Sequence, residues 1–266
     1  MNRHTTLIHD TLNVGGRLLS LARPLVMGIV NVTPDSFFAG SRCEERTTLA
    51  DRVRQMTADG ADIIDVGACS TRPGSVPVPE EEERERLRKA LTVVRQELPD
   101  AVVSVDTFRP AVARMAVEEF GADIINDVEG TDEMFQTVAQ LRVPYIYMSS
   151  EPTVERVLAD FARAVSSLRE LGQKDIILDP GFGFGKTLDE NFALLAEMDK
   201  LCVMQLPLLV GLSRKRMVWQ TLGITPDEAL NGTTVLNTLA LTKGASILRV
   251  HDVREAAEAI ALTAGL

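Results

Sequence analysis

The stretch Gly60-Ala61-Asp62-Ile63-Ile64-Asp65-Val66 decides how this chain is read, because it returns as Gly121-Ala122-Asp123-Ile124-Ile125-Asn126-Asp127. A looser copy stands at Gly244-Ala245-Ser246-Ile247-Leu248-Arg249-Val250. In each copy a glycine suited to a helix C-terminus precedes a short apolar run that closes on a polar residue. Short unbroken apolar runs between helical stretches indicate buried parallel strands. Working outward, eight such runs can be collected: Leu25–Val30, Ile63–Val66, Val102–Val105, Ile124–Ile125, Tyr145–Met148, Ile176–Leu178, Leu208–Val210 and Ile247–Val250.

The helices between them are legible. Pro79 opens one, with Glu80 to Glu83 as a solvated first turn and Leu87, Leu91, Val94 and Leu98 along one face. Val154, Val157, Leu158, Phe161, Val165 and Leu168 mark a second, ending at Gly172. Asp252-Val-Arg-Glu255 predicts a capping box, with Asp as the cap, at the start of the last helix. Eight strand–helix units within about 250 residues point to a (β/α)8 barrel, with a doubly wound open sheet as the alternative that strand counting leaves open. The expected division is an N-terminal extension over 1–24 and a barrel over 25–266. Asn13-Val-Gly-Gly16 reads as the turn of a hairpin plugging the barrel bottom.

In a barrel, polar residues ending the strands share the face where such enzymes place their chemistry. Those residues are Asn31, Asp65, Asp106, Asn126, Asp179, Ser213 with Lys215, and Arg249 with His251. Strand-end Asp and Asn also serve as helix caps, so each is open to both readings. Arg249 and His251 alternate on one strand and point the same way, as a cationic clamp for phosphate or as a structural ion pair with Asp252 or Asp127. The long stretches Val32–Arg46 and Gly67–Pro79, after the first two barrel strands, fit lids over that face.

Composition narrows the partners. The 266 residues carry 28 basic and 38 acidic side chains, a net charge of −10. An acidic chain argues against nucleic acid, and against an anionic substrate unless cations gather locally. Cys43, Cys69 and Cys202 have no metal-like spacing and fit a reducing, cytoplasmic compartment. No apolar leader opens the chain, and the longest stretch without Asp, Glu, Lys or Arg, Ala229 to Thr242, is too short to span a membrane. Gly181-Phe-Gly-Phe-Gly185-Lys186-Thr187 tempts a phosphate-loop reading, but Pro180 occupies the first glycine position. Its two phenylalanines suit a wall beside a flat ring. His4 and His9 lie in the N-terminal tail and carry no site.

Met27-Gly-Ile-Val-Asn31-Val-Thr-Pro-Asp35-Ser-Phe37, Asp65-Val-Gly-Ala-Cys-Ser70-Thr71-Arg72-Pro73-Gly74 and Ser104-Val-Asp106-Thr resemble the dihydropteroate synthase family. So do Ile125-Asn126-Asp127, Asp179-Pro-Gly-Phe-Gly-Phe-Gly-Lys186, Gly211-Leu-Ser213-Arg214-Lys215 and Arg249-Val-His251-Asp252-Val253, in family order. The resemblance implies a homodimeric (β/α)8 transferase of folate biosynthesis and a sulfonamide target. The implied reaction joins p-aminobenzoate to (7,8-dihydropterin-6-yl)methyl diphosphate, releasing diphosphate. By resemblance, Asp179 accepts the two N–H donors of the pterin edge, Asp106 and Asn126 hold the opposite edge, and Lys215 donates to ring acceptors. Thr71, Arg72, Arg249 and His251 would bind the diphosphate, and Asn31 would hold Mg²⁺ through its side-chain oxygen. Phe37, Thr71, Pro73, Phe184 and Ser213 would frame the p-aminobenzoate pocket. Asp106, Lys215, Arg249 and His251 are the implied catalytic set. Bond breaking would run ahead of attack, with Asp106 steadying a pterin-methyl cation.

The chain departs from the family pattern at Cys69, where Glu is common, in Ser36-Phe-Phe-Ala-Gly40, and at Tyr147-Met148, where the family has His-Met. None removes an implied pterin or diphosphate contact, and the reaction needs no nucleophilic Cys69. Two other readings remain at this point, a methyltetrahydrofolate-dependent methyltransferase and a non-catalytic pterin-binding paralogue. Ser-Thr-Arg-Pro-Gly, Ser-Arg-Lys and Arg-Val-His together favour the synthase over the first; Asp106, Lys215 and Arg249 favour it over the second.

Overall fold

Gly60, Gly121 and Gly244, which open the three copies of the repeated phrase, hold φ angles of +102°, +62° and +95°. Each therefore stops a helix and turns the chain into the next strand. The architecture that follows is seen in a computed structural model that describes residues 10–32, 42–69 and 78–265. The order is β1 (Thr11–Val14), β2 (Arg17–Ser20), β3 (Leu25–Asn31), α1 (Arg42–Ala58), β4 (Ile63–Gly67), α2 (Glu80–Glu97), β5 (Val102–Asp106) and α3 (Pro110–Phe120). It continues with β6 (Ile124–Asp127), α4 (Asp132–Leu141), β7 (Tyr145–Met148), α5 (Val154–Glu170), β8 (Ile176–Asp179) and α6 (Leu188–Ala196). The chain closes with β9 (Leu209–Val210), α7 (Arg216–Leu222), α8 (Leu230–Thr242), β10 (Ile247–Val250) and α9 (Val253–Thr263).

The eight strands from β3 to β10 form one parallel sheet in the order β8-β7-β6-β5-β4-β3-β10-β9. The first of them pairs with the last, Leu248 opposite Val26, which a doubly wound sheet does not do. The two remaining edges meet at a parallel bridge between Leu178 and Leu208, where the Leu178 N–H donates to the Pro207 carbonyl at 2.9 Å. The sheet is a (β/α)8 barrel. Among the described residues no helix is long and apolar enough to cross a membrane.

Period-two alternation sorts the strand residues into two cores. Met27, Ile63, Ile124, Ile146, Ile177, Leu209 and Ile247 point inward and fill the barrel floor, together with Leu12 and Val14 of the β1–β2 hairpin. The predicted plug is in place. Val26, Ile64, Val66, Val103, Val105, Ile125 and Leu248 point outward into the shell of helices.

Most barrel strands run one or two residues beyond their apolar runs. Asn31, Asp106, Asn126 and Asp179 lie within strands, where ladder hydrogen bonds hold their backbones. The strand before Gly211 is shorter than expected, with Leu208 left as a bridge. Two sequence expectations fail. Glu83 is not solvated but fully buried, because it falls on the same helical face as Leu87 and Val94. Asp252 precedes α9 yet makes no capping bond, since its carboxylate is engaged by the forked Arg214 guanidinium at 2.6 and 3.2 Å.

Candidate active site

The inward phase that places isoleucines on the floor places polar residues at the mouth. Asp65 is opposite Ser104 and Ile29, Gly67 is opposite Asp106, and Asp106 is opposite Asn126. Asp179 ends β8, Ser213 and Lys215 follow β9, and Arg249 with His251 follows the same phase at β10. The barrel thus gathers Asn31, Asp106, Asn126, Asp179, Ser213, Lys215, Arg249 and His251 on one face from separate strands. Phe37, Thr71, Arg72 and Pro73, with most of the two lid stretches, lie outside the described residues.

Arg249 organises one half of the mouth. Its Nε donates to Asp65 Oδ2 at 2.7 Å, and its Nη2 donates to Asp106 Oδ2 at 2.6 Å and lies 2.7 Å from Asp65 Oδ2. The expected structural partners, Asp127 and Asp252, are engaged elsewhere. Asp127 faces the helices, where it accepts from the Tyr145 hydroxyl at 2.7 Å and from the Glu129 and Gly130 amides. Arg249 is therefore a cation held by two carboxylates, not an open clamp. Burial works against its charge, but Asp65 and Asp106 outweigh that cost and keep it protonated. Asn126 Nδ2 donates to Asp65 Oδ2 at 3.4 Å.

Burial dominates the acids. It pushes the Asp106 carboxyl up to about 7, against the pull of Arg249, while Asp65, Asp127 and Glu83 add to the rise. Asp179 is raised for the same reason, with Lys215 opposing, and its Oδ1 accepts from the Gly181 amide at 2.8 Å. Lys215 is lowered to about 8 by burial, less than it would be without Asp179 nearby. Its Nζ donates to the Phe182 carbonyl and stands 4.7 Å from the centre of the Phe184 ring. His251 packs with Ser213: the ring Nδ1 lies 3.0 Å from Ser213 Oγ, which also accepts from the His251 amide at 3.1 Å.

The glycine-rich loop differs from its sequence reading. Phe182 is buried in the core, so only Phe184 stands at the mouth. Lys186, unassigned from sequence, folds back to donate to the carbonyls of Ser149, Gly181 and Phe184 at 3.2, 3.0 and 3.4 Å. Its ammonium serves the loop's own backbone rather than a ligand. Sequence reasoning also gave no role to Glu83, which accepts from Thr107 Oγ1 at 2.7 Å and pairs with Arg109. Helical spacing from Glu83 to Leu87 was the available signal. Arg109 in turn donates to the Val78 carbonyl at 2.6 Å and Arg86 to the Ala68 carbonyl at 3.3 Å, at the two described ends of the second lid stretch.

Two departures from the family pattern leave the mouth untouched. Tyr147 points outward, its hydroxyl donating to Asp160 of α5 at 2.9 Å and its ring edge-on to Phe135 and Phe161. Cys69 is buried, and burial pushes its thiol up, away from the thiolate a nucleophile needs.

Among the described residues there is no group of three or more His, Cys, Asp or Glu placed to hold a metal. The described residues of the mouth therefore supply no all-protein metal cage. A magnesium ion that keeps phosphate and water oxygens needs only one or two protein oxygens, and Asn31 Oδ1 lines the same mouth beside Gly67. That donor set fits such an ion and no tighter one.

A family model described as pterin binding enzyme matches residues 27–251. The dihydropteroate synthase of Escherichia coli (strain K12) is 38% identical over 262 residues, covering 92% of each chain. The solved structure of Xanthomonas albilineans dihydropteroate synthase with 4-aminobenzoic acid superposes with a TM-score of 0.89 at 37% identity, covering 96% of this chain and 97% of that one. The same organism's enzyme in complex with 7,8-dihydropteroate gives a TM-score of 0.85 at 33% identity, over 97% and 98% of the two chains. With the barrel closed, its mouth lined by these residues and this likeness spanning nearly the whole chain, the protein belongs to the dihydropteroate synthase family of pterin-binding enzymes, transferases of folate biosynthesis.

Proposed function

We propose that this chain condenses (7,8-dihydropterin-6-yl)methyl diphosphate with p-aminobenzoate to give 7,8-dihydropteroate and diphosphate. The observation that carries the reading is the convergence of Asp106, Asn126, Asp179 and Lys215 on the mouth that also holds Arg249 and His251. A pterin offers a guanidine-like edge with two adjacent N–H donors, which the Asp179 carboxylate matches as a paired acceptor. Asn126 and Asp106 take the opposite edge, and Lys215 donates to the ring oxygen and nitrogen acceptors.

The carbon–oxygen bond of the diphosphate ester breaks first, and the leaving diphosphate takes the electron pair. Arg249, through the Nη1 that no described side chain engages, and His251 meet the charge that builds there, joined by Thr71 and Arg72. Asp106, paired with Arg249, faces in its carboxylate form the cation left on the pterin methylene. The aniline nitrogen of p-aminobenzoate, placed by Phe184, Ser213, Phe37, Thr71 and Pro73, attacks that carbon and loses its proton to water. No side chain acts as a strong base, since the amine is already nucleophilic. Mg²⁺, with Asn31 Oδ1 among its ligands, supplies charge neutralisation at the diphosphate when bound. The acting form is proposed as a homodimer.

Purified protein given both substrates and Mg²⁺ is expected to release 7,8-dihydropteroate and diphosphate in equal amounts, followed by chromatography and a phosphate-release assay. Protein that binds pterin yet forms no product would favour a non-catalytic role.

A further inference from the structure

Asp65 is fully buried, and the reaction as drawn gives it no contact with either substrate. Its Oδ2 nonetheless accepts hydrogen bonds from Arg249 Nε and Asn126 Nδ2 and lies in ion-pair contact with Arg249 Nη2, so two proposed ligand-binding residues converge on one oxygen. Among the described residues its Oδ1 has no hydrogen-bond partner, and neither has Ser104 Oγ, on the residue opposite it in the ladder. A buried carboxylate that leaves one oxygen unsatisfied is a poor choice for stability alone, because desolvation is only partly offset. Its bonds all run toward the residues that would hold the pterin and the diphosphate.

Arg249 also spans two acids. With Nε hydrogen-bonded to Asp65 and Nη2 hydrogen-bonded to Asp106 while also in ion-pair contact with Asp65, the guanidinium plane is locked, and Nη1 is the nitrogen that no described side chain engages. If Asp65 were removed, Arg249 would have only Asp106, and its long side chain would regain rotamer freedom. The angle of the guanidinium, and with it the orientation of the Asp106 carboxylate, depends on Asp65.

We propose that Asp65 is a positioning residue for the condensation, acting through Arg249 and Asn126 rather than on substrate. This rests on the reading of the mouth given above. Two variants and their combination test it. Asp65→Asn keeps the shape but removes the charge, and is expected to lower kcat at least about tenfold while KM for p-aminobenzoate changes less than about twofold. In an Arg249→Gln background the same change should cost at least about threefold less than in the wild type, because only the Asn126 contact is left for it to act through. Titration calorimetry with the dihydropterin diphosphate runs the same cycle on affinity, so the answer does not depend on turnover. Circular dichroism reports folding, and Asp65→Ser replaces Asp65→Asn in the cycle if the latter does not fold. Equal losses in both backgrounds, or wild-type kcat and affinity in the single variant, would overturn the proposal. Absence of product from the wild type would instead count against the proposed reaction, leaving the affinity cycle to decide the role of Asp65.

Discussion

Asp106 at about 7 and Lys215 at about 8 bracket a narrow pH window. With Asp106 acting as carboxylate and Lys215 as donor, kcat/KM of the free enzyme should rise through about 7 and fall above about 8. The same two groups act on stability in the opposite sense. Asp106 lies above its ordinary 3.8, so between there and about 7 the native state keeps a proton that the unfolded chain has lost. Stability from this group therefore falls as pH rises through that window. Lys215 lies below its ordinary 10.5, so above about 8 the unfolded chain holds the extra proton and stability rises with pH. Activity is expected to peak where both contributions are least. Urea midpoints at several pH values should show the fall for wild type and a flatter curve for Asp106→Asn. At this scale residue types and places were legible, since alternation alone put Arg249, His251 and the acids at the mouth. Their pairings were not. Arg249 bonds Asp65 and Asp106, both more than a hundred positions away in sequence, and local spacing carries no record of that choice.

The segment between β8 and α6 is where backbone demands are highest. Gly181, Gly183 and Gly185 hold φ of +66°, +82° and +63°, which explains the alternating glycines without any phosphate. Thr187 caps α6 in a reciprocal box with Glu190, and Asn191 accepts from the Gly183 amide at 2.6 Å. A Cβ at position 181 would meet the Ser149 carbonyl oxygen that Lys186 also binds. Gly181→Ala should cost at least about 2 kcal/mol, from left-handed strain and the clash together. Because the Gly181 amide orients Asp179, pterin affinity should fall with it. A denaturation midpoint and a pterin titration check both, and an unchanged affinity would detach the loop from Asp179. Glycine spacing announced an unusual loop here, but not its cause, since Lys186 finds its carbonyls only once β7 and β8 lie side by side.

At the scale of the molecule, charge no longer discourages an anionic substrate, but for a reason the net value hides. Within the described mouth Asp65, Asp106 and Asp179 are matched by Arg249, Lys215 and Lys186, so the mouth is balanced rather than cationic. The outer shell shows one uncharged element, α8, with Asn231, Val235, Leu239 and Thr242 exposed in one stripe and Leu222 and Leu230 exposed nearby. That face suits the proposed homodimer. Val235→Lys is expected to weaken self-association at least about tenfold without unfolding the barrel, read by sedimentation equilibrium. A wild-type monomer at about 10 μM would remove the dimer from the proposal.

By itself the sequence determined the strand count, the inward and outward phases, the hairpin plug and the family, because each rests on local periodicity or on contiguous motifs. Tertiary structure alone decided that the sheet closes, since closure depends on Leu178 meeting Leu208 and on the first strand pairing the last. It alone decided which acids hold Arg249, that Glu83 pairs with Arg109, and that Asp252 serves Arg214 rather than a cap. Those outcomes are competitions among buried charges for partners, and a charge is paired by whatever packing brings within about 3 Å.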